Sequence, residues 1–219
     1  MRKNVGRNWY VAAGLLAAFV LWTVLICAVD VESIGPGGSR VGFATLNGWV
    51  HDATGVHWWL YNVTDWLGLV PFAVAFGFAI LGLVQWIRRS SLRKVDRSLW
   101  VLGGFYVVVM AAYLFFEVFA VNYRPVLING VLEISYPSST TMLALCVMPT
   151  AAMQVCDCIK NGVLRRCLVT LIVAFTAFMV IGRLISGVHW VSDIIGGALL
   201  SAGLVILYRC FAGLFCQQT

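Results

Sequence analysis

Residues 9–29 read WYVAAGLLAAFVLWTVLICAV, an apolar stretch without a single Asp, Glu, Lys or Arg. A helix needs about 20 apolar residues to cross a bilayer, so this stretch predicts a membrane-spanning helix. It follows Met1-Arg-Lys, as the core of a secretory signal would. It is too long for such a core, however, and no small-residue cleavage site stands out after it. We therefore expect this first helix to be retained.

The composition extends this expectation to the whole chain. Of its 219 residues, 61% are hydrophobic and 11% charged, and the mean hydropathy is +0.91. A soluble domain carries about a quarter charged residues, and so much apolar surface cannot be buried inside one small globule. The formal net charge of +6 does not indicate a nucleic-acid partner, because in a membrane protein the position of each charge matters more than the sum.

Six apolar stretches of suitable length follow one another along the chain. We predict an all-α integral membrane protein, with a single membrane domain over 1–219 that is a bundle of six transmembrane helices. The predicted spans are about 9–29, 58–87, 98–121, 137–155, 167–184 and 189–211. In the polar connection after the first span, the apolar residues of 41–50 suggest a short helix at the membrane interface. Asn62, Thr64 and Asp65 suggest that the first turns of the second span are hydrated.

The basic residues predict an orientation. Most Lys and Arg fall in the N terminus, the 88–97 and 156–166 connections and the C-terminal tail. These four segments share one side of a six-span bundle, which the positive-inside rule assigns to the cytoplasm. We therefore expect a multi-pass protein of the cell membrane with both termini cytoplasmic. The 30–57 and 122–136 connections and the turn near Ser186 would then be extracytoplasmic.

The seven cysteines do not indicate a disulfide framework or a metal site. They lie in or beside apolar stretches or in a basic connection, and their spacings do not match a metal motif. We expect all of them to be reduced residues, and we predict neither a metal nor a cofactor. These are Cys27, Cys146, Cys156, Cys158, Cys167, Cys210 and Cys216.

Two arginines lie on the outer side, against the charge bias. Arg124 follows the third span and Arg183 lies near the end of the fifth. Ionisable groups in such places are usually paired or functional, although a single arginine often only reaches toward lipid headgroups. His189 and Asp193 stand four residues apart at the start of the sixth helix, so we expect them on one face. A carboxylate there can orient the imidazole and stabilise its charged form.

The fourth helix opens with Pro137-Ser138-Ser139-Thr140-Thr141. Proline suits the first turn of a helix, and the free N–H groups there, with hydroxyls beside them, bind anions. Together with two guanidinium groups and an imidazole at the same membrane face, they form a set suited to phosphoryl transfer. Arginines and N–H groups bind the phosphate oxygens, while the imidazole attacks phosphorus and forms a phosphohistidine that water resolves.

These residues resemble the motifs of the type 2 phosphatidic acid phosphatase superfamily, which includes six-helix membrane members and haloperoxidase relatives. The family motifs are K-x6-R-P, P-S-G-H and S-R-x5-H-x3-D. Here, within 117–197, the corresponding residues are Glu117-x6-Arg124-Pro125, Pro137-Ser138-Ser139-Thr140 and Gly182-Arg183-x5-His189-x3-Asp193.

The resemblance implies a metal-independent membrane phosphatase or phosphotransferase that acts on lipid phosphates or diphosphates at the extracytoplasmic face. Its partners would be a phosphorylated lipid substrate and the membrane lipids. His189 would be the nucleophile, Asp193 its orienting partner, and Arg124 and Arg183 the phosphate clamps. Ser138 and the amides of Ser139 and Thr140 would complete the phosphate cradle.

Three positions depart from the family pattern. Glu117 replaces the first lysine, Gly182 replaces the serine before the second arginine, and Thr140 replaces the histidine of P-S-G-H. In the family that histidine protonates the leaving oxygen, which a threonine cannot do near neutral pH. Losing a positioned general acid costs roughly 10²–10⁴-fold in rate.

Four explanations for the missing histidine are open. The leaving group can itself be a phosphate, as in a polyprenyl diphosphate, which needs less protonation. A half-buried Glu117 can be the acid, although it can also simply neutralise Arg124 as a structural pair. His51 or His57 can fold over the site from the long outer connection. Lastly, the protein can bind a phosphorylated lipid without turnover.

A small lipid or anion transporter is the rival from another functional class. Transporters favour internal repeats and polar residues at the middle of the membrane, whereas the polar groups here cluster at one end of the spans. The sequence does not predict an oligomeric state or the identity of the lipid.

Overall fold

The computed structural model describes residues 2–215, with side chains from 6 to 214. This part of the chain is helical and contains isolated bridges but no strand. The helices are α1 Arg2–Ala28, α2 Ala44–Thr54, α3 Trp58–Leu67, α4 Leu69–Arg89, α5 Arg97–Val118, α6 Ser139–Cys158, α7 Gly162–Ile185 and α8 Val191–Phe215. Six segments are long and apolar enough to cross a membrane, α3 and α4 together forming one of them. The prediction of an all-α bundle with six spans is confirmed.

Helices α6 and α8 form the centre of the bundle. About half of the most apolar window of each is buried, 56% for α6 and 50% for α8, against 17% or less in the other four spans. Helix α6 packs against both α7 and α8, and α1 packs along α8. The outer helices instead expose apolar side chains around the bundle, as lipid-facing helices do. Thr140 and Asp193 therefore lie on the two helices that are most deeply buried within the bundle.

The second span is not one continuous helix. It divides at Gly68, whose N–H lies 3.0 Å from the carbonyl oxygens of both Thr64 and Asp65. A Cβ atom at Gly68 would lie 2.8 Å from the Asp65 carbonyl oxygen, so a larger residue would not fit without rearrangement. Pro71 follows in the first turn of α4, where the missing N–H costs nothing. The break places the end of α3 beside the start of α4 at one end of the bundle.

Two details of the predicted helix starts are wrong. Helix α6 begins at Ser139 with Ser138 as its N-cap, so Pro137 precedes the helix instead of occupying its first turn. Helix α8 begins at Val191, so His189 lies in the connection before the helix. In both cases the chain is held by tertiary contacts that periodicity does not reveal.

The connection before α6 folds back on itself and is anchored to the bundle. Tyr123 and Ile134 form an antiparallel bridge, and the N–H of Ser135 donates to the Asn122 carbonyl at 2.9 Å. The indole of Trp190 donates to the Tyr123 carbonyl at 2.8 Å. These contacts tie the two ends of the connection to each other and to the start of α8.

Tyr136 anchors the same connection at its other end. Its side chain is buried, and its hydroxyl lies 2.7 Å from the Thr23 hydroxyl of α1. Gly196 of α8 lies directly against the ring, because a Cβ there would be 2.4 Å from the Tyr136 Cε2 atom. The small residue at 196 therefore serves contact with this tyrosine.

Helix α2 extends from 44 to 54, which overlaps the interfacial helix expected at 41–50. It is fastened to the bundle through Asn47, which is fully buried. The Asn47 amide donates to the Ser192 hydroxyl at 2.9 Å, and the N–H of Ser192 donates back to its oxygen at 3.1 Å. The Trp22 indole of α1 donates to the Ser192 carbonyl at 3.0 Å. Three elements thus converge on the start of α8.

The cysteines within the described side chains are all free. Cys146 and Cys210 are buried, while Cys27, Cys156, Cys158 and Cys167 are exposed. Cys216 lies outside the described residues.

Candidate active site

A cavity of about 550 Å³ opens at the end of the bundle where α3, α5 and α7 finish and α6 begins. The connection before α6 and the residues before α8 complete its walls. Six of the predicted site residues line it together: Glu117, Arg124, Ser139, Thr140, Arg183 and His189. The remaining two, Ser138 and Asp193, lie behind this lining.

His189 is buried, with 4% of its surface exposed. Its Nε2 atom lies 3.2 Å from Nη1 of Arg124. Because a guanidinium only donates, Nε2 accepts, and the ring proton belongs on Nδ1. Burial, and then the positive charges of Arg124 and Arg183, hold the pKa of His189 well below its usual value. The imidazole is therefore neutral and carries its lone pair on the side that faces the arginine.

Asp193 lies on the other side of the imidazole and is fully buried. Its Oδ2 atom is 3.8 Å from Nδ1 of His189. The same oxygen accepts the backbone N–H of Trp190 at 3.0 Å, and Oδ1 accepts from the Asn122 amide at 3.4 Å. An acid at the third helical position that bonds the N-cap N–H is half of a capping box. Asp193 therefore stabilises the start of α8 as well as facing the imidazole.

Arg124 is held by the folded connection in which it lies. Its backbone N–H donates to the Glu133 carbonyl at 3.0 Å, and its Nε lies 3.0 Å from Oε2 of Glu133. Only 8% of its surface is exposed. The carboxylate that neutralises this arginine is thus Glu133. The prediction that Glu117 serves as its structural partner is wrong.

Arg183 is almost completely buried, with 1% exposed. Its Nη2 lies 3.4 Å from Oδ1 of Asp65, and its Nη1 lies 3.4 Å from the Thr64 hydroxyl. Its guanidinium carbon is 5.2 Å from the centre of the Tyr61 ring. A Cβ at Gly182 would lie 2.8 Å from Cγ2 of Thr64. The glycine therefore leaves room for α3, which provides every one of these contacts.

The amino end of α6 presents Ser139 and Thr140 to the cavity. They are the first two residues of the helix, where N–H groups have no acceptor within it. Ser138 takes no direct part, contrary to the prediction: it is fully buried, and its hydroxyl donates to the Thr141 hydroxyl at 3.0 Å. Its N–H donates to the Asp193 carbonyl at 3.2 Å, which joins the start of α6 to that of α8.

The model of the PAP2 superfamily matches residues 72–215, more than half of the chain. The chain belongs to the PAP2 superfamily. Its structure also resembles the crystal structure of a transmembrane PAP2 type phosphatidylglycerolphosphate phosphatase from Bacillus subtilis. The TM-score is 0.64 at 18% sequence identity, over 96% of this chain and 100% of that one, and a match at this identity shows a shared fold. No curated protein matches the chain in a sequence comparison.

Two of the positions that depart from the PAP2 motifs, Glu117 and Thr140, line the cavity. Glu117 lies in the last turn of α5 and lines the cavity, but it is exposed and not half-buried as expected. His51 packs against the Trp190 ring at 5.4 Å, and the His57 ring lies 2.9 Å from the Thr54 carbonyl oxygen. Neither histidine lines the cavity, so the suggestion that one of them replaces the missing histidine is wrong.

Two carboxylates of this PAP2 site were not predicted from the sequence. Asp65 precedes the part of the chain that the family model matches, and Glu133 lies in a connection without regular secondary structure. The polar residues at the start of the second span indicated hydration, but not a contact with Arg183. No group of three or more His, Cys, Asp or Glu side chains suited to a metal ion occurs in the described part of the chain.

Proposed function

We propose that this PAP2 protein is a phosphatase or phosphotransferase that removes a terminal phosphate from a lipid phosphate monoester or diphosphate. The observation that carries the proposal is the convergence of Arg124, Arg183 and His189 on one cavity, beside the amino end of α6. The phosphatidylglycerolphosphate phosphatase that shares the fold supports a lipid substrate.

The reaction begins when the substrate phosphate accepts hydrogen bonds from the N–H groups of both arginines. In the structure Nε2 of His189 accepts from Arg124, so this exchange frees the lone pair for attack. A bond forms between Nε2 and phosphorus while the bond to the leaving oxygen breaks. Asp193 faces Nδ1 and stabilises the positive charge that develops on the ring. Water then attacks phosphorus, the N–P bond breaks, and inorganic phosphate leaves.

The leaving oxygen needs either a proton or a stable negative charge. Thr140 supplies no proton at neutral pH, and Glu117 is a carboxyl group in the same cavity wall. Because Glu117 is exposed, its role as the acid for an alcohol leaving group requires that the bound substrate cover this carboxyl group. A diphosphate instead leaves as a phosphate and needs little assistance. Glu117→Gln should slow hydrolysis of a monoester by roughly 10²–10⁴-fold and leave diphosphate hydrolysis nearly unchanged. Equal effects on both substrates would exclude the acid role.

The primary test measures phosphate release by the purified protein without divalent metal. The substrates are phosphatidate, phosphatidylglycerol phosphate, a sphingoid phosphate and undecaprenyl diphosphate. His189→Ala should abolish release, whereas His51→Ala, which changes a histidine outside the cavity, should retain it. Acid-labile, protein-bound phosphate should appear when the substrate carries a labelled terminal phosphate. Release that persists in His189→Ala would contradict the nucleophile assignment.

One observation favours a second function, which is binding of a phosphorylated lipid without turnover. Thr140 occupies the place of the family's histidine in a site that is otherwise complete. In that case the wild type and Glu117→Gln would bind the same lipids with equal affinity, and neither would release phosphate.

The proposed location of the site is the extracytoplasmic face. The cavity lies at the start of α4, whereas the basic 88–97 connection follows its end, and a helix of 21 residues is about 30 Å long. The positive-inside rule places the basic end in the cytoplasm. A membrane-impermeant maleimide should therefore label Val131→Cys in intact cells and spare Cys156 and Cys158, which are exposed at the basic end. The reverse labelling pattern would invert the orientation.

A further inference from the structure

A second large cavity lies at the opposite end of the molecule from the candidate active site. It is a groove of about 600 Å³ between α4 and α5, and its lining is almost entirely apolar. We call it the hinge groove; Gly82, Trp86, Leu92, Trp100 and Gly103 are among its lining residues. Leu92 belongs to the basic 88–97 connection, so the groove opens directly beside that connection.

Two glycines keep the hinge groove open. A Cβ at Gly82 of α4 or at Gly103 of α5 would meet no atom within 4 Å. Contact between helices therefore does not require glycine at either position. A side chain of ordinary size at each would instead occupy the groove.

The connection beside the groove carries unpaired positive charge. The side chains of Arg88, Arg93, Lys94 and Arg97 are exposed, and none of the ion pairs among the described side chains includes them. Asp96 is the single acid in the 88–97 connection. Its carboxylate is already paired with Arg89.

The connection is held in a fixed shape around this acid. Arg89 pairs with Asp96 at 2.8 Å, and Gln85 exchanges two hydrogen bonds with the side chain and the backbone of Asp96. The hydrogen bond from Arg89 holds the pKa of Asp96 below its usual value. The Trp100 indole donates to the Leu92 carbonyl at 3.2 Å. The remaining cations are thus presented on an ordered turn.

We propose that the hinge groove binds an anionic phospholipid from the leaflet on its own side of the membrane. One acyl chain lies between α4 and α5, and the phosphate lies against Arg88, Arg93 and Lys94. Trp86 and Trp100 line the groove near the ends of α4 and α5 and would lie at headgroup depth, where tryptophan is enriched in membrane proteins. Clusters of four or more basic residues beside a transmembrane helix attract anionic lipid at about 1 kcal/mol per residue. The lipid would join α4 to α5 at the end of the bundle that the candidate site does not stabilise.

The test compares retention of phosphatidylglycerol and phosphatidylcholine with identical acyl chains. The detergent-purified protein is titrated with each lipid, and native mass spectrometry counts the bound molecules. We expect the wild type to prefer phosphatidylglycerol. The double variant Arg93→Gln/Lys94→Gln removes two cations and should weaken the binding of phosphatidylglycerol by roughly 30-fold, at about 1 kcal/mol for each cation. The matched control Arg165→Gln/Arg166→Gln removes two exposed cations from the first turns of α7 and should keep the preference.

A second pair of variants tests the groove itself. Gly82→Phe fills the groove and should abolish retention of phosphatidylglycerol, whereas Gly77→Phe adds the same ring to the same helix in open space and should not. Equal retention of both lipids by the wild type, or equal effects of the two phenylalanines, would overturn the proposal. Loss of phosphatase activity toward long-chain substrates in Gly82→Phe, with retention of phosphatidylglycerol unchanged, would assign the groove to the substrate tail and also overturn it.

Discussion

Replacing Gly182 with serine, the residue that the PAP2 motif carries there, should harm this protein. A Cβ at 182 would lie 2.8 Å from Cγ2 of Thr64, about 1 Å closer than an ordinary carbon contact. Thr64 cannot simply rotate away, because its hydroxyl donates to the Leu60 carbonyl at 2.8 Å and lies 3.4 Å from Nη1 of Arg183. Overpacking of this kind costs about 1–3 kcal/mol.

The opposing gain is small, since exchanging glycine for serine inside a helix adds about 0.5 kcal/mol of propensity. We therefore expect Gly182→Ser to lower the free energy of unfolding by about 1–2 kcal/mol. Phosphate release should fall as well, because moving α3 disturbs the contacts of Thr64 and Asp65 with Arg183. Gly162→Ser is the matched control on α7, as a Cβ at 162 meets no atom within 4 Å.

A double-mutant cycle isolates the clash. Thr64→Ser removes Cγ2 but keeps the hydroxyl, so the double variant Gly182→Ser/Thr64→Ser should recover about 1 kcal/mol or more of the loss. Stability is measured by denaturant unfolding in detergent, and activity by phosphate release. If Gly182→Ser unfolds at the same denaturant concentration as the wild type, or if Thr64→Ser gives no recovery, the packing argument is refuted.

Three further predictions concern the surroundings of the imidazole and the anchor of the 122–138 connection. Asp193→Asn should reduce phosphate release by up to roughly 10⁴-fold, as loss of the carboxylate that orients a catalytic imidazole does. It keeps an acceptor for the helix cap, so its Tm should exceed that of Asp193→Ala, and equal Tm values would contradict this. Because the pKa of His189 is lowered, the folded state binds fewer protons than the unfolded state below pH ~6.5, so stability should be complete above that pH and decline below it by at most about 1.4 kcal/mol per pH unit. The contribution of His189 is the difference between the Tm–pH profiles of the wild type and His189→Ala, and identical changes in Tm between pH 7 and 5 in the two proteins would argue against it. Gly196→Ala places a Cβ 2.4 Å from the Tyr136 ring and should cost about 1–3 kcal/mol, measured by unfolding, whereas Gly213→Ala in open space on the same helix should not destabilise the protein.

The number of spans and the meeting of the distant motifs followed from the sequence. Span number depends on length and hydropathy, which are local properties. Arg124, Arg183 and His189 are separated by up to 65 residues, yet the alternation of the spans places all three at the same end of the bundle. The order of the spans therefore predicted that the three residues lie at one membrane face, and the spacing of the family motifs predicted that they form a single site.

Local pattern did not predict where His189 and Ser138 lie. Both residues lie just before a helix, where contacts with another element determine the backbone conformation. The N–H of Ser138 donates to the Asp193 carbonyl, and the N–H of Trp190 donates to the Asp193 side chain. Neither contact leaves a periodic signal, because the first joins the starts of two different helices and the second closes a single turn before α8.

The local sequence pattern also did not predict the ion-pair partners of Arg124 and Arg183. Glu133 reaches Arg124 through an antiparallel fold of the connection, and Asp65 reaches Arg183 across 118 residues. Glu117 occupies a motif position and was the obvious carboxylate to consider. Its exposure at the end of α5 leaves it in the cavity wall, whereas an irregular loop and a short helix supply the actual ion pairs.

Those ion pairs have a consequence for the choice of substrate. Each guanidinium group already pairs with one carboxylate, Arg124 with Glu133 through Nε and Arg183 with Asp65 through Nη2, so a phosphate that binds here competes with these carboxylates for the positive charge. A phosphate monoester carries nearly two negative charges at neutral pH, whereas the phosphodiester of an ordinary phospholipid carries one. In the proposed phosphatase this competition would favour a doubly charged monoester over the singly charged phosphodiesters of the surrounding bilayer.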